Sequence, residues 1–368
     1  MNGSFVCNRS LLRGDSHIKT AYPSINILLE PQGAAEVHND LPFPIYTHLE
    51  GQAKAEAFHD KVDIVATFGG DGTILHASSL FAASNTVPPV LSFSMGTLGF
   101  LGEWKFTEYK RAFREVYMSG AGLGDREDIL RNATISRTAK NGYSDAQTSW
   151  SSIRGMSMGS TREARVLVRN RLKVSVFDAD GNRLSNNGHS ASTSQDVHAM
   201  NEVIIHRGKD PHLAVVEVYI GGRFLTEAVA DGIIISTPTG STAYSLSSGG
   251  SILHPLVPSL LLTPICPRSL SFRPLVLPAS TPITLKLGEK NRGREVEVSI
   301  DGIRRRDGFG VGTELRVSGE ELRQKGGFWE GGIPCIMRRA FGGAGGDDAW
   351  VGGLNGLLKF NYPFGEES

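Results

Sequence analysis

At 368 residues the chain is longer than a single hydrophobic core usually serves, so two domains are expected. Its 38 basic and 38 acidic side chains cancel to a net charge of zero, which excludes any electrostatic case for a nucleic-acid partner or an acidic membrane surface. With 40% hydrophobic and 21% charged residues the composition is that of a globular protein, and no apolar run approaches the length of a membrane span.

Cys7, Cys266 and Cys335 are far apart and form no CxxC pair, which argues against a disulfide framework or a zinc site and for a reducing compartment. Met1 to Thr20 carries Arg9, Arg13 and Lys19 against Asp15 alone, and reads either as a mitochondrial presequence or as a frayed start. Ser24–Glu30 reads as a buried strand, followed by Pro31-Gln32-Gly33 and a short helical piece around Ala34–Asn39.

Asp63–Thr67 has the length and β-branching of a buried strand, and after it Ile74, Ala77, Leu80 and Phe81 fall on one helical face. Phe68-Gly69-Gly70-Asp71-Gly72-Thr73 therefore sits at a strand-to-helix turn, with Thr73 expected to cap the helix. Such a turn suits a phosphate: glycines let the backbone approach closely, and a helix start offers unpaired N–H groups at the positive end of the dipole. Asp71 is the odd member. A carboxylate there repels phosphate unless a metal ion lies between them or the acid orients and deprotonates an attacking hydroxyl. The plainer alternative is a tight turn with Asp71 as a local cap.

A third strand, Val90–Met95, runs into Gly96-Thr97-Leu98-Gly99-Phe100-Leu101, after which Phe106, Tyr109, Phe113, Val116 and Tyr117 recur at helical spacing. This alternation predicts a Rossmann-like parallel α/β domain over residues 1–125, with both glycine loops at the carboxyl ends of strands, where ligands bind. Phe100 either covers an aromatic base there or fills the core.

Past about Leu123 short β-rich runs follow one another: 129–135, 164–168, 172–177, 202–206, 213–220, 223–229, 233–236, 271–277, 283–287, 295–300 and 315–317. Gly221-Gly222 and Asp301-Gly302 read as two-residue hairpin turns. An all-β, sandwich-type second domain is expected over 126–325, then a return segment and Gly-rich tail over 326–368. Stretches rich in Ser, Asn, Thr and Gly at about 140–160 and 178–196 are expected to be mobile insertions.

Within this second half, hydroxyl side chains from Ser236 to Ser245 surround Pro238 and Gly240 and lead to a short helix expected to be capped by Ser241. Dense small donors and acceptors can bind the sugar, amide and phosphate groups of a nucleotide, and Tyr244 offers a face for stacking. A hydroxyl-rich turn before a helix is the alternative. Asn201-Glu202 opens a strand, as a solvated strand end or as a grip on vicinal ribose hydroxyls.

Taken together, Gly69-Gly70-Asp71-Gly72-Thr73, Gly96-Thr97-Leu98-Gly99-Phe100-Leu101, Asn201-Glu202 and Asp231-Gly232 through Tyr244 resemble the NAD kinase family in order and spacing, over about residues 24–340. The stretch 263–278 resembles eukaryotic members, and the whole is similar to fungal enzymes of the mitochondrial NADH kinase type. The resemblance implies transfer of the γ-phosphoryl of ATP to the 2′-hydroxyl of the adenosine ribose of NAD or NADH, with a divalent cation such as Mg2+ and no metal ligand assigned in the chain. Carried over by motif position, Asp71 is the catalytic base, and Gly70, Gly72 and Thr73 form the phosphate cradle. Asn201 and Glu202 hold the ribose, Asp231 meets the nicotinamide amide, and Thr242, Ala243 and Tyr244 line the ring pocket. Phe100, Thr239 and Ser247 are further binding positions. The resemblance also implies a homo-oligomer, dimer or tetramer, in the mitochondrion or the cytoplasm with a lean to the former.

No GxxxxGK[ST] sequence is present, so a P-loop is excluded as the ATP cradle. The family's sheet begins with a strand and helix ahead of 24–30, and that first unit is expected to be missing here. Two rivals stand beside the kinase reading. A lipid kinase of the diacylglycerol or sphingosine class shares the Gly-Gly-Asp-Gly-Thr loop but has no use for Asp231–Tyr244. A catalytically silent nucleotide-binding protein would keep the sites and lose the chemistry.

Overall fold

The computed structural model describes residues 8–47, 61–95, 99–118, 164–184, 196–293, 295–305, 309–325 and 328–338, with 350, 354 and 358. The first half contains α1 (Asn8–Ala21), α2 (Pro31–Val37), β1 (Val65–Phe68), α3 (Asp71–Ser79), β2 (Val90–Ser94), β3 (Trp104–Lys105) and α4 (Tyr109–Met118). Then come β4 (Arg165–Arg169), β5 (Leu172–Phe177), β6 (Val197–Ala199), β7 (Glu202–His206), β8 (Ala214–Ile220), β9 (Arg223–Ala230), β10 (Gly232–Ser236) and α5 (Tyr244–Ser247). The chain continues through β11 (Ser259–Ile265), β12 (Leu275–Pro278), β13 (Ile283–Leu287), β14 (Glu295–Ile300), β15 (Ile303–Arg304) and β16 (Phe309–Gly310). It closes with β17 (Glu314–Gly319), β18 (Arg323–Lys325), β19 (Phe328–Glu330) and β20 (Ile333–Met337).

The front sheet runs β1-β2-β20-β4, with β3 also paired to β2. β1, β3 and β20 are parallel to β2, as a strand–helix alternation requires, and β4 is antiparallel to β20. Phe68 and Phe93, opposite one another in register, stack with ring centroids 5.2 Å apart, and Phe106, Phe113 and Ile18 of α1 close over them.

The rear half is a sandwich of two antiparallel sheets, β12-β11-β10-β7-β14-β15 and β6-β5-β17-β13-β8-β9. Alternate residues of each, among them Val203, Ile205, Val298, Val218, Leu285 and Val317, interlock in one core. The period of two is visible in β8, β13 and β14, where buried positions alternate with partly exposed ones. Gly221-Gly222 and Asp301-Gly302 form the expected hairpin turns, all four residues at positive φ between 46° and 77°. An α/β half with a parallel sheet and a β-sandwich half are thus the observed fold.

Several local expectations fail for identifiable reasons. Ser24–Glu30 is extended but is not a strand: it makes one parallel bridge, Leu28 to Tyr46. Its neighbour carries Pro42 and Pro44, which have no N–H with which to extend a ladder. Residues 165–169, expected in the second domain, lie in the front sheet against β20, so the chain crosses between the two halves and returns. β11 was not expected at all, because Pro264 interrupts its apolar run. The proline is tolerated because β12 pairs only as far as Leu262 on that side.

A helix does precede 24–30, namely α1, within the stretch read as a frayed start. Its Asp15 is buried, and burial pushes the carboxyl up to about 7. The first residues of the expected insertion at 178–196 form an ordered hairpin end, with Leu184 N–H donating to Val176 and the Asp178 carboxylate accepting from Asp180 and Asn182. The expected strand at 129–135, the insertion at 140–160, residues 185–195, the loop positions 96–98 and most of the Gly-rich tail lie outside the described residues.

Candidate active site

β1 ends at Phe68, and Gly69 N–H donates to Phe93 O, carrying the chain off the sheet into α3. A side chain on Gly69 would meet Thr73 Oγ1 at 2.2 Å, so glycine is demanded there by packing. Gly70 and Gly72 face open space instead, leaving room on the outer side of the turn. The helix begins at Asp71 with Gly70 as its N-cap and no side-chain cap, so Thr73 lies inside the first turn and does not have the capping role expected of it. The Thr73 N–H is taken by Gly70 O at 3.0 Å, which leaves the N–H groups of Asp71 and Gly72 to whatever lies outside.

Asp71 does not cap its own helix either. Its Oδ2 accepts the Phe100 N–H at 2.9 Å and its Oδ1 the Leu101 N–H at 3.1 Å, clamping the second glycine loop onto the first. Gly99 makes this possible, since a Cβ there would fall 2.0 Å from Asp71 Oδ1. Each oxygen keeps a further lone pair for a ligand. Phe100 is partly buried and held by its own N–H in the clamp.

In the rear half, Asn201 and Glu202 are buried at the start of β7. The bend after β10 is stapled to them: Thr237 N–H donates to Asn201 O, Thr237 Oγ1 donates to Met200 O, and Gly240 N–H donates to Thr237 Oγ1. Gly240 lies so close that a Cβ would fall 2.2 Å from Asn201 O. Asn201 Oδ1 and Glu202 Oε2 have no partner among the described residues, as does Ser236 Oγ, whose residue stands opposite Glu202 in the ladder. Orphaned buried acceptors and a hydroxyl gathered in this way fit a polyhydroxyl ligand. Burial, and then the nearby Asp301 carboxylate, push Glu202 up to about 8.

The hydroxyls of the bend divide by task. Ser241 accepts from Leu253 N–H and donates to Pro238 O, Ser245 pairs with Thr263, and Thr242 donates to Thr239 O, so these largely hold the turn in shape. α5 is preceded by Ala243 as N-cap, and Ser241 belongs to a 3-10 turn before it, so Ser241 is not the cap. Tyr244 is 41% exposed and Ser247 is exposed, with Thr242 and Ala243 half-buried beside them.

Among the connections between front and rear that the sequence did not reveal, two involve the neighbourhood of these residues. Arg169 of β4 donates to Glu103 Oε1 at 3.1 Å and to Thr239 Oγ1 at 3.5 Å, joining the loop that Asp71 clamps to the hydroxyl bend. Below them Ile74 of α3, Leu101 and Met200 belong to one hydrophobic cluster, so the Asp71 helix and the residue before Asn201 share a core. Burial raises the Glu103 carboxyl, against the lowering pull of Arg169.

Asp231 is not brought to this cluster. It precedes β10 and accepts from Arg207 Nε at 2.6 Å, at the end of the strand where Gly232 faces His206. Glu202 faces Ser236 at the other end, about 13 Å away by strand geometry. An open groove of about 370 Å³ lies on the β9 side, lined in part by Leu225, Arg268, Phe272 and Arg273, and contains none of the expected site residues.

Residues 23–121 match the family model described as the ATP-NAD kinase N-terminal domain, and residues 200–318 match the ATP-NAD kinase C-terminal domain. The mitochondrial NADH kinase POS5 of Saccharomyces cerevisiae is 34% identical over 377 residues, spanning 95% of this chain and 76% of the relative. That of Schizosaccharomyces pombe is 38% identical over 348 residues, spanning 95% and 70%. The crystal structure of yeast NADH kinase complexed with NADH superposes with a TM-score of 0.70 at 34% identity, covering 98% of this chain and 86% of that one. Nothing in these matches supports the lipid-kinase alternative. On motif, fold and likeness together, this chain belongs to the ATP-NAD kinase family.

Proposed function

We propose that, in this ATP-dependent NAD(H) kinase, the adenosine ribose of the dinucleotide lies between the Asp71 clamp and the Asn201–Glu202 pair. Asn201 Oδ1 and Glu202 take the ribose hydroxyls, and Asp71 accepts the proton of the 2′-hydroxyl as that oxygen attacks the γ-phosphorus of ATP. Gly70, Gly72 and Thr73 form the phosphate cradle, with the N–H groups of Asp71 and Gly72 at the helix start turned to the phosphates. Thr239, Thr242, Ala243, Tyr244 and Ser247 line the rings, with Phe100 on the opposite side. The observation that supports this reading is the Glu103–Arg169–Thr239 connection, which joins the segment just after the Asp71-clamped loop to the bend stapled against Asn201.

Phosphoryl transfer asks mainly for positioning and charge neutralisation. Among the described residues no three or more His, Cys, Asp or Glu side chains gather as a metal site. A divalent cation such as Mg2+ would enter with the ATP substrate, liganded by phosphates and water, with Asp71 an acidic side chain able to face it. Asp231, held away from the cluster within one chain, would contact the nicotinamide amide from a second copy, which supports a homo-oligomer. The mitochondrial NADH kinases among the relatives support NADH as acceptor and a mitochondrial over a cytoplasmic location.

The direct test is to incubate the purified chain with ATP, Mg2+ and NAD or NADH, and to detect the product with an NADP-specific dehydrogenase. NADP formation is expected. Binding of NAD without any product would favour the silent nucleotide-binding reading. Light scattering of the same sample is expected to give a dimer or tetramer, and an active monomer would remove Asp231 from the site.

A further inference from the structure

Asp301 occupies the first position of the β14–β15 hairpin turn at φ 46°, a conformation that few residues other than Gly, Asn and Asp adopt readily. Its side chain does not serve the turn. Oδ2 accepts the Met200 N–H at 2.7 Å, and Oδ1 accepts those of Asn201 at 2.7 Å and Glu202 at 3.1 Å. In return Asp301 N–H donates to Glu202 O at 2.9 Å. Three consecutive backbone donors just before and at the start of β7 thus converge on one carboxylate. We propose that Asp301 is a positioning residue of the kinase site, gathering the 200–202 backbone so that the Asn201 and Glu202 side chains are presented to the dinucleotide ribose.

This inference rests on the ribose role proposed for Asn201 and Glu202. A strand end normally leaves its leading N–H groups to water, and the side chains there sample several rotamers. Here the N–H groups are fixed by a charged acceptor, which makes stronger bonds than a neutral one. Met200 is fully buried in the cluster that also contains Ile74, so the same anchored turn ties the rear pair into the core shared with the Asp71 helix.

The arrangement has a protonic consequence. Glu202 faces Asp301 from the hairpin and the neutral Ser236 from β10, while Arg171 exerts the cationic influence on Asp301. Burial raises both carboxyls, but the oxygens of Asp301 already face three N–H donors. These donors favour the ionised form of Asp301, so the proton that burial favours on the pair is carried preferentially by Glu202. Replacing Asp301 with a neutral residue removes the like charge and lowers the pH at which Glu202 ionises.

The test uses Asp301→Asn in the full chain, because Asn tolerates the positive φ and its amide offers one oxygen where two were needed. NAD affinity, measured by calorimetry without ATP, is expected to weaken on the order of tenfold. The KM for ATP should stay within about twofold, since the ATP side of the site is untouched. The pH dependence of NAD affinity should move to lower pH in Asp301→Asn and vanish in Glu202→Gln. Unchanged NAD affinity and an unchanged pH profile in Asp301→Asn would overturn the proposal. Asp301→Glu, which keeps the charge but displaces it, supplies the second reading if the first variant does not fold: weaker NAD binding supports the role and wild-type binding refutes it. If Asn201→Ala leaves NAD binding intact, the ribose reading itself fails, independently of Asp301.

Discussion

Asp71 and Asp301 solve the same mechanical problem in the two halves of the molecule, and they do so in opposite settings. Each reaches across the chain to gather backbone N–H groups, from Phe100 and Leu101 in one case and from Met200, Asn201 and Glu202 in the other. Asp71 stands at a helix start between two glycines that face open space. Asp301 stands in a hairpin turn with both carboxylate oxygens turned back onto the residues it holds. Gathering amides makes a loop rigid. Whether the same carboxylate also takes part in chemistry depends on whether one of its sides remains open to substrate.

The sharpest way to break that comparison is Asp71→Asn. Turnover is expected to fall by about 100- to 10,000-fold, as for loss of a general base, while NAD binding measured by calorimetry largely survives. A variant that retains wild-type turnover would make Asp71 a loop clamp only, the same kind of residue as Asp301.

A second contrast separates glycines demanded by packing from those left for a ligand. Gly240→Ala places a methyl 2.2 Å from Asn201 O and is expected to cost about 3 kcal/mol of folding stability in denaturant titrations. Gly70→Ala, with nothing within 4 Å of the new methyl, should stay within about 1 kcal/mol yet raise the KM for ATP. Equal stability losses in the two would show that the front turn is as closely packed as the rear one.

Stability against pH sharpens the electrostatic side. Glu202 ionises at about 8 in the folded chain against an ordinary value of 4.5, so between the two the folded state holds a proton that the unfolded state has shed. This contribution is fully present below 4.5 and is lost as pH rises through about 8. Asp15 adds the same trend up to about 7. Thermal unfolding of the ligand-free chain should therefore show stability declining by about 3 to 4 kcal/mol from pH 6 to pH 8, about 2 kcal/mol of it from Glu202, with a flatter profile in Glu202→Gln. A curve for Glu202→Gln that overlays wild type would remove Glu202 as the source.

The smallest effect is expected at the exposed ring of the rear bend. Tyr244→Ala should weaken NAD binding by about 1 kcal/mol, the worth of one stacking contact, without changing stability. An unchanged dissociation constant would confine ring recognition to the buried part of the bend.

Much of this site was legible as chemistry because glycine, acid and hydroxyl residues cluster locally. Gly69 to Thr73 announced a turn between a strand and a helix, and Asn201-Glu202 stood at the head of a strand. Their partners were not legible. Asp301 looked like an ordinary hairpin residue, since its target lies 100 residues away. Arg169 was assigned to the wrong half, because a strand's sequence does not say which sheet it will join. Thr73 and Ser241 were given capping roles from residue type alone, while the backbone starts each helix elsewhere.

By itself, the amino-acid sequence determined the local elements and the residue types able to hold a nucleotide, because hydrophobic period and turn chemistry act over a few neighbours. The tertiary structure alone decided which of those residues share a site. Arg169 bridging Glu103 and Thr239, Met200 sharing a core cluster with Ile74, and Asp231 left at the far end of β10 are long-range facts. They follow from how the strands register and how the two halves bury their common core, and no short stretch of sequence encodes that.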